Sequence, residues 1–594
     1  MHGSSPGLMV LGVVVGVGAG VGAVAFRELI IGATRAFSGY SDYSAAGPAP
    51  NPHLPSLGIW FVVAAPVVGG LIYGPLIARF AGEARGHGVP EVMLAVSEQG
   101  GRIRPRVAAV KALASAVCIG SGGSVGREGP IVQIGSALGS GLGQALRVPE
   151  SRLRLLVACG AAGGISATFN APIAGVFFAL ELILRDFESE SFGVVVLASV
   201  IADVIGRAAF GSQPFLALPA FHEQSLWEYG LYAGLGLTAA LVGTAFVRIL
   251  YGMEDITDRV WRGPAWLRPA AGGVLLGILL LALPQLYGVG YPVLEQAIGG
   301  GYTTRFLLLL LVGKLLATSL TIAIGGSGGV FAPSLFMGAM LGAAYGNLAG
   351  LLGPHLVGAP GAYGLVAMGA VFAGAGRAPI TSVLIIFELT GDYRIILPLM
   401  VAGVISTAVA ALLGHDSIYT LKLRRRQTPL MQRLKVADAI RPTPDPIPWE
   451  AQLPTLVDRF ASGRDQALPV VAGDGAYAGV ITLKTVHDAA DRPDATAGEL
   501  AVLVPSLDAD QRLDTALDLL LRSDADGLPV LSAPGEISGW VSHRDILSAY
   551  QRLLNRERPP MNTGRRRGRS ATAPSTQTPV AAAVRDGTRG GVRG

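Results

Sequence analysis

The stretch at residues 120–130, GSGGSVGREGP, joins two apolar segments that carry almost no charge. An ionised carboxylate at Glu128 in such surroundings costs roughly 2.5 to 3.5 kcal/mol on membrane-insertion scales. Glycines allow backbone amides to approach a ligand closely, and Pro130 suits the first turn of a helix, whose N–H groups and dipole attract anions. The stretch therefore predicts an anion site with a carboxylate standing in it. A buried structural glutamate is the alternative.

The composition predicts an integral membrane protein. Of the 594 residues, 51% are hydrophobic and 15% are charged, whereas a typical soluble domain has about 25% charged residues. The 82 glycines and 38 prolines predict interrupted, closely packed helices. The uncharged run at residues 4–26 lacks the basic start of a secretory signal and is long enough to span a bilayer, so it predicts a first transmembrane helix.

The cysteines and the net charge restrict the remaining classes of function. Cys118 and Cys159 lie in apolar stretches, which predicts small core residues rather than a disulfide or a metal site. The net charge of +5 is concentrated in the C-terminal tail, which favours contact with anionic lipid over nucleic acid. An intramembrane metalloprotease would need HExxH, which the sequence lacks, so no enzymatic activity, metal or required cofactor is predicted.

Two halves of the apolar region share a weak repeat. Residues 1 to about 420 contain some fourteen or more apolar segments, several shorter than the roughly 20 residues that span a bilayer, and the polar stretch 217–228 divides them. APIAGVFFALEL at residue 171 returns as APITSVLIIFEL at residue 378, and IGSGGSVGREGP at residue 119 has a counterpart in IGGSGGVFAP at residue 324. Matched interrupted helices predict a substrate site between the halves. Glycine-mediated packing without a site is the alternative.

The chain changes character after the basic residues 424–426, which the positive-inside rule places in the cytoplasm. A second repeat follows: ALPVVAGDGAYAGVITLKTVHD at residue 467 is echoed by GLPVLSAPGEISGWVSHRDI at residue 527. Each copy predicts a strand, a turn, a second strand and a helix, preceded by an amphipathic helix at 456–462 or 513–521. Beyond residue 555 the tail is rich in Arg, Gly, Pro, Ser and Thr and is predicted to be disordered.

Together these features resemble the CLC family of chloride channels and anion/proton antiporters, followed by a tandem pair of CBS domains. Four motifs appear in the family's order: GHGVP at 86–90 in the place of GSGIP, GREGP at 126–130, GGVFAP at 328–333 matching GxFxP, and SIYTLKL at 417–423, which carries the pore tyrosine. The resemblance implies an all-α polytopic membrane domain, an inverted repeat of broken helices, and an α/β cytoplasmic CBS pair. It also implies a homodimer with one pore in each subunit, in the plasma membrane of a prokaryote.

The resemblance also implies boundaries and site residues. The membrane domain is expected at 1–423 with halves at about 1–216 and 229–423, the linker at 424–435, the CBS domains at 436–492 and 493–553, and the disordered basic tail at 556–594. Glu128 would be the gate, which leaves an anion site when protonated, and Tyr419 would donate its hydroxyl to the anion, an interfacial tyrosine being the alternative. The implied anion-binding residues are Gly86, His87, Gly88, Val89, Pro90, Arg127, Glu128, Gly129, Val330, Phe331 and Tyr419.

Two residues depart from the family pattern. His87 replaces the serine of chloride-selective members; its imidazole can donate a hydrogen bond and become cationic, or it can point outward and leave its backbone N–H to bind. Leu182 stands where antiporters have a proton-transfer glutamate after the FNAPxAG segment. Because leucine cannot carry a proton, the prediction is a chloride channel gated by Glu128, with voltage or pH dependence and regulation by the CBS pair. The alternatives are a Cl⁻/H⁺ antiporter with another proton route, such as water beside Glu181, and, more remotely, a CBS-regulated cation transporter.

Two further predictions concern carboxylates. Glu181 and its repeat partner Glu388 are predicted to be structural, capping or pairing within the helix bundle. In the CBS pair, family members often bind ATP, ADP or AMP through Ser or Thr followed three residues later by Asp. Ser542 and Asp545 keep this pattern, whereas Thr482 is followed by Thr485. Helix capping by Asp545 is the alternative.

Overall fold

The computed structural model describes residues 5–187, 189–212, 226–353, 357–414, 416–426, 434–462, 466–523, 525–533 and 535–557. The chain divides into two compact units at Arg426. Most of the predicted linker, all but two residues of the predicted disordered tail and most of the polar stretch between the halves lie outside the described residues.

The described part of the first unit is helical. Its α-helices, in chain order, are α1 Ser5–Ser38, α2 Tyr43–Ala46, α3 Phe61–Phe80, α4 Val89–Glu98, α5 Arg106–Gly120, α6 Glu128–Ala145, α7 Glu150–Phe169, α8 Pro172–Phe178, α9 Ser189–Phe210, α10 Glu228–Val260, α11 Arg268–Ala282, α12 Tyr291–Ile298, α13 Thr304–Ala323, α14 Phe331–Ala349, α15 Pro360–Gly376, α16 Pro379–Thr390, α17 Ile396–Leu413 and α18 Thr420–Arg426. A π-helical turn, Ala179–Leu184, continues α8.

The lengths of these helices agree with a membrane domain of broken helices. Among the described residues, 7 helices are long and apolar enough to cross a membrane, and shorter apolar helices stand between them. The first helix is confirmed and extends to Ser38, beyond the uncharged run at residues 4–26. Arg27 lies within this helix, and its guanidinium stacks over the ring of Phe210 at 4.1 Å from the ring centroid.

Glycine accounts for the close packing of the helices that carry the repeat. A Cβ placed on Gly135 of α6 would lie 2.1 Å from the carbonyl oxygen of Gly160 on α7. In the second half, a Cβ on Gly338 of α14 would lie 2.4 Å from the carbonyl oxygen of Ala367 on α15. The backbones therefore touch at matching points in both halves, as the composition predicts. Both cysteines are buried and unpaired thiols.

The described part of the second unit holds strands and helices in two copies of one pattern. Its strands are β1 Ile447–Pro448, β2 Ala467–Val471, β3 Tyr477–Thr482, β4 Gly527–Ala533 and β5 Glu536–Ser542, and its helices are α19 Leu453–Ser462, α20 Leu483–Asp488, α21 Ala497–Leu500, α22 Leu513–Arg522 and α23 His543–Glu557. Strands β2 and β3 are antiparallel, as are β4 and β5, and the registers match: Ala467 faces Thr482, and Gly527 faces Ser542. The predicted repeat of strand, turn, strand and helix is confirmed.

The cores of the two copies are built with exchanged segments. Leu434, which precedes the predicted first CBS domain, and Val436, the first residue of that domain, pack into the apolar core of the second copy. Ala497 and Leu500 lie beyond the predicted end of the first copy and pack into its core. Each copy is therefore closed by a segment from outside its own repeat, which a repeat pattern does not reveal.

Candidate functional site

Two helix starts meet where the glycine-rich motifs lie. Gly126 precedes α6 and Gly329 precedes α14, and they exchange two backbone hydrogen bonds, Gly126 N–H to Gly329 O at 2.8 Å and Gly329 N–H to Gly126 O at 2.5 Å. The pairing brings together the first turns of both helices, whose N–H groups lack partners within the helix. The positive dipole ends of α6 and α14, one from each half, therefore point into the same gap.

The carboxylate of Glu128 occupies the gap between these helix starts. A Cβ on Gly126 would lie 1.9 Å from its Oε2, and a Cβ on Gly329 would lie 2.8 Å from the same atom. The residue is 1% exposed, and the Tyr291 hydroxyl donates a hydrogen bond to its Oε1 at 3.1 Å. The guanidinium of Arg127 lies over the Tyr291 ring, 5.2 Å from its centroid. These contacts hold a carboxylate where the geometry suits an anion.

Tyr291 was missed by the reasoning from sequence, although a signal for it exists. GVGYP at residues 288–292 repeats the spacing of GHGVP at residues 86–90. In both segments the glycines adopt positive φ: +79° at Gly86, +83° at Gly88, +65° at Gly288 and +88° at Gly290. These turns start α4 and α12, so each half contributes two helix starts to the site.

GHGVP packs directly against GREGP. A Cβ on Gly129 would lie 1.8 Å from the carbonyl oxygen of His87, so only glycine fits there. The imidazole of His87 is 1% exposed and does not point out of the protein. Its Nε2 lies 3.2 Å from the Tyr251 hydroxyl, and its ring centroid lies 6.0 Å from that of Tyr419.

Tyr419 is buried at the junction of several elements. The backbone N–H of Ile418, the preceding residue, donates to the carbonyl oxygen of Ala375 at 2.9 Å, which anchors the segment to α15. The Tyr419 side chain is 1% exposed, so an interfacial position at a helix end does not describe it. The structure thus brings the four predicted motifs to one region. Which of their atoms bind an anion stays a prediction.

A buried lysine supports the loop before each half's first helix start. In the first half, Lys111 Nζ donates to the carbonyl oxygens of Ala84 at 2.9 Å and Gly86 at 2.7 Å. In the second half, Lys314 Nζ donates to the carbonyl oxygens of Gly288 and Val289, both at 3.0 Å. Both side chains are fully buried, so each half holds a glycine turn with a buried amino group.

Glu181 and Glu388 cap each other's half of the bundle, as predicted. The Glu388 carboxylate accepts hydrogen bonds from the N–H groups of Ile173 at 2.9 Å and Ala174 at 2.6 Å, at the start of α8. The Glu181 carboxylate accepts from the N–H of Thr381 at 2.8 Å and from its hydroxyl at 2.6 Å, at the start of α16. Leu182 is buried beside this cap.

Two cavities approach the site from different elements. The first, which we call the Tyr291 cavity, has a volume of about 360 Å³ and is lined by Tyr291, Arg127 and Glu295 among others. The second, the Tyr251 cavity, has a volume of about 660 Å³ and is lined by Gly82, Arg85, Tyr251, Glu254, Asp255, Asp258, Lys422 and Arg425. Each cavity therefore reaches a tyrosine that is hydrogen-bonded to a titratable side chain of the site.

In the second unit, the predicted ribose-binding residues bond to one another. The Ser542 hydroxyl donates to Asp545 Oδ2 at 2.5 Å, and the Ser542 N–H donates to the same oxygen at 2.9 Å. Arg441 adds an ion pair to Asp545 at 3.1 Å. In the first copy, Thr482 caps α20 by accepting from the N–H of Thr485 at 3.2 Å. Both sites therefore act as helix caps, and nucleotide binding stays a prediction.

Comparisons with known proteins agree with this geometry. The family model described as voltage gated chloride channel matches residues 69–411, and the CBS domain model matches residues 504–552. A ClcB-like chloride channel protein of Ralstonia nicotianae is 36% identical over 372 residues, which are 62% of this chain and 86% of that protein. The H⁺/Cl⁻ exchange transporter ClcA of Vibrio parahaemolyticus is 36% identical over 360 residues, 59% of this chain and 76% of that protein.

Solved structures show the same fold. The crystal structure of a slow cyanobacterial Cl⁻/H⁺ antiporter superposes with a TM-score of 0.64 and 26% identity, covering 71% of this chain and 98% of that one. The family model spans more than half of the chain, and the relatives are matched over most of their length. This protein belongs to the CLC family of membrane anion transport proteins and carries a C-terminal CBS region.

Proposed function

We propose that this protein exchanges chloride for protons across the membrane. The Glu128 carboxylate competes with chloride for one site and binds the transported proton. The observation that carries the proposal is the placement of the Glu128 carboxylate in the glycine-lined gap between the starts of α6 and α14. Helix dipoles and backbone amides can bind a halide without trapping it, since they carry partial charges only. An ionised carboxylate there competes with chloride. A protonated carboxyl group is neutral, so the helix starts no longer attract it and it can leave the gap.

The relatives favour exchange over the channel predicted from sequence. The Vibrio protein is named an H⁺/Cl⁻ exchange transporter, and the cyanobacterial protein is described as a Cl⁻/H⁺ antiporter. The glycine-led helix starts favour an anion, so cation transport has no support from the site. Passive chloride conduction remains the second candidate because Leu182 stands where antiporters carry a proton-transfer glutamate.

Flux measurements on purified protein in liposomes test the proposal. A chloride gradient should drive protons uphill through the wild type, and Glu128→Gln should abolish that proton movement while the neutral side chain still leaves a path for chloride. The matched control is Glu98→Gln, which changes an exposed glutamate on α4 and should transport like the wild type. Chloride flux through the wild type without any uphill proton movement would overturn exchange and support the channel.

Assembly and nucleotide regulation stay predictions. The homodimer can be checked by the mass of the purified protein in detergent. The ribose role can be checked with Asp545→Ala, because this change removes a carboxylate that already bonds Ser542 and Arg441. ATP, ADP and AMP affinities equal to those of the wild type would leave Asp545 with its capping role alone.

A further inference from the structure

We propose that Tyr251 is a positioning residue for the chloride site. Its buried hydroxyl bridges two of the four motifs, GHGVP and SIYTLKL, and this bridge sets how strongly the site prefers chloride to larger anions. The inference rests on the proposed function in one respect, which is that chloride binds where the four motifs meet. It does not depend on whether chloride movement is coupled to protons.

The Tyr251 hydroxyl bonds to both motifs. Tyr251 lies on α10 and is 1% exposed. Its hydroxyl donates its one hydrogen to the carbonyl oxygen of Ile418, the residue before Tyr419. The hydroxyl oxygen also lies 3.2 Å from His87 Nε2. Because the hydroxyl hydrogen is already donated, Nε2 carries a hydrogen and donates it to Tyr251.

The bridge joins segments that are distant in the chain and close in the fold. Tyr251 lies 164 residues after His87 and 167 residues before Ile418. The ring centroids of His87 and Tyr419 are 6.0 Å apart. The hydroxyl therefore acts where GHGVP and SIYTLKL face each other, although it belongs to neither motif.

The Tyr251 ring is held from its other side by Arg425. The Arg425 guanidinium lies over the ring, 4.9 Å from its centroid, a placement that is attractive for a cation and an aromatic face. The same guanidinium donates two hydrogen bonds to the Asp255 carboxylate, at 2.6 Å and 2.9 Å. A bidentate pair fixes the plane of the guanidinium. The ring is thus kept in the orientation that directs its hydroxyl to Ile418.

The bridge fixes backbone on both sides of the site. The N–H of Ile418 donates to the carbonyl oxygen of Ala375 on α15 at 2.9 Å, so α10 and α15 hold opposite polar atoms of one residue. On the other side, a Cβ on Gly129 would lie 1.8 Å from the carbonyl oxygen of His87. The hydroxyl therefore sets the separation between the backbone that precedes Tyr419 and the segment that packs on GREGP.

A fixed separation favours the smaller anion. Nitrate is larger than chloride, and a site whose walls cannot move apart excludes it by steric conflict. When the bridge is removed, the two segments can separate slightly. Chloride then loses well-placed contacts, whereas nitrate gains room. The two anions should consequently respond differently to the loss of one hydroxyl.

The second half offers no equivalent of this bridge at the position of His87. Val289 stands there, and its apolar side chain cannot donate a hydrogen bond. The glycine turn and the buried lysine recur in both halves, but the bond to Tyr251 belongs to GHGVP. This difference assigns the bridge to the chemistry of the site rather than to the repeated support.

The test is the affinity of purified full-length protein in detergent for chloride and for nitrate, measured by isothermal titration calorimetry. Tyr251→Phe removes the hydroxyl and keeps the ring that Arg425 contacts. We expect the Kd for chloride to rise by roughly threefold to tenfold, the effect of losing a hydrogen bond, and the Kd for nitrate to rise less.

Tyr345→Phe is the matched control. The Tyr345 hydroxyl also donates to a carbonyl oxygen on α10, that of Leu231 at 3.0 Å. Leu231 lies far from Tyr251, at about 30 Å along the helix. Both affinities should equal those of the wild type in this variant.

A double-mutant cycle separates the bridge from a direct contact of His87 with the anion. His87→Val removes the donor to Tyr251 and introduces the residue of the second half. If His87 acts through the bridge, the combined variant loses less chloride affinity than the product of the two single losses, because one bond cannot be lost twice. Independent losses would overturn the bridge. If Tyr251→Phe is not recovered folded, an unchanged chloride-to-nitrate preference in His87→Val overturns it as well.

The outcomes separate this inference from the proposed exchange. Unchanged affinities in Tyr251→Phe overturn the role of Tyr251, and equal losses for chloride and nitrate overturn its effect on selectivity. A wild type that binds chloride but moves no protons uphill overturns exchange and leaves this inference standing. A wild type that binds no chloride overturns both. The expected result is a reduced chloride-to-nitrate preference in Tyr251→Phe, with that of Tyr345→Phe unchanged.

Discussion

The two halves of the membrane domain share a scaffold but differ in chemistry. Each half has a buried lysine beneath a glycine turn, and each lysine precedes the paired glycine, Gly126 or Gly329, by the same 15 residues. At the helix starts themselves, however, the first half presents His87 and Glu128, whereas the second half presents Val289 and Phe331 at the equivalent positions.

This difference separates the residues that support the site from the titratable residues within it. Backbone turns and lysine bonds recur in both halves because both must present helix starts. Titratable groups occur at these positions only in the first half, and the second half contributes the Tyr291 hydroxyl that holds Glu128. We therefore expect paired substitutions in the scaffold to act alike, and substitutions in the site to act differently.

The largest effect is expected where helix backbones touch. Gly135→Leu and Gly338→Leu should each prevent recovery of folded protein, because even a Cβ would meet a backbone oxygen at 2.1 Å or 2.4 Å and overpacking costs about 1–3 kcal/mol or more. Size-exclusion profiles in detergent would show the loss. Gly193→Leu is the control, since nothing lies within 4 Å of a Cβ there. A folded Gly338→Leu protein beside an unfolded Gly135→Leu protein would break the equivalence of the halves.

The buried lysines should come next. Lys111→Met and Lys314→Met each remove two hydrogen bonds to buried carbonyl oxygens, at about 0.5–1.5 kcal/mol for each bond. We expect similar falls in melting temperature for the two variants, measured in detergent. Lys484→Met, on an exposed helix position, should leave the melting temperature unchanged. A large fall in melting temperature for only one of the two lysine variants would show that the lysines do not stabilise the two halves equally.

The hydrogen bond that the second half makes to Glu128 should have a smaller effect, on transport rather than on stability. Tyr291→Phe removes the hydroxyl that donates to Glu128, a bond to a charged group that contributes about 1.5 kcal/mol. The carboxylate should therefore leave its site more readily, and chloride flux into liposomes should rise by roughly tenfold. Tyr302→Phe, whose hydroxyl bonds Gln296 away from the gate, is the control. Unchanged flux in Tyr291→Phe would mean that this bond does not hold the Glu128 carboxylate in its place.

The reciprocal caps should give the smallest effects and equal ones. Glu181→Gln and Glu388→Gln each replace a charged cap by a neutral acceptor, at about 0.5–2 kcal/mol of stability. The melting temperature should fall slightly in both variants, and the proton-to-chloride ratio should stay at the wild-type value. Loss of proton coupling in Glu181→Gln alone would show that the first half's glutamate conducts protons.

The sequence predicts local features of the site better than its long-range contacts. GREGP places a carboxylate at a glycine-led helix start, and hydropathy with glycine content predicts broken helices, since both depend on neighbouring residues. The partner of Glu128 could not be predicted in this way, because Tyr291 lies 163 residues away. Its signal was the spacing of GVGYP. The exchanged segments of the second unit leave no pattern, because Leu434 and Leu500 look like ordinary apolar residues.

The reciprocal caps also affect how the protein is made. The carboxylate of Glu181 finds its amide partners about 200 positions later in the chain, at Ile380 and Thr381. During synthesis the first half is therefore in the bilayer before the second half is made. Until then the Glu181 carboxylate lies in an apolar helix without the N–H groups that it accepts from in the folded protein. A truncated first half should be recognised and degraded by membrane proteases. The same fragment should persist when the second half is supplied as a separate polypeptide, because each then delivers the helix start that the other lacks.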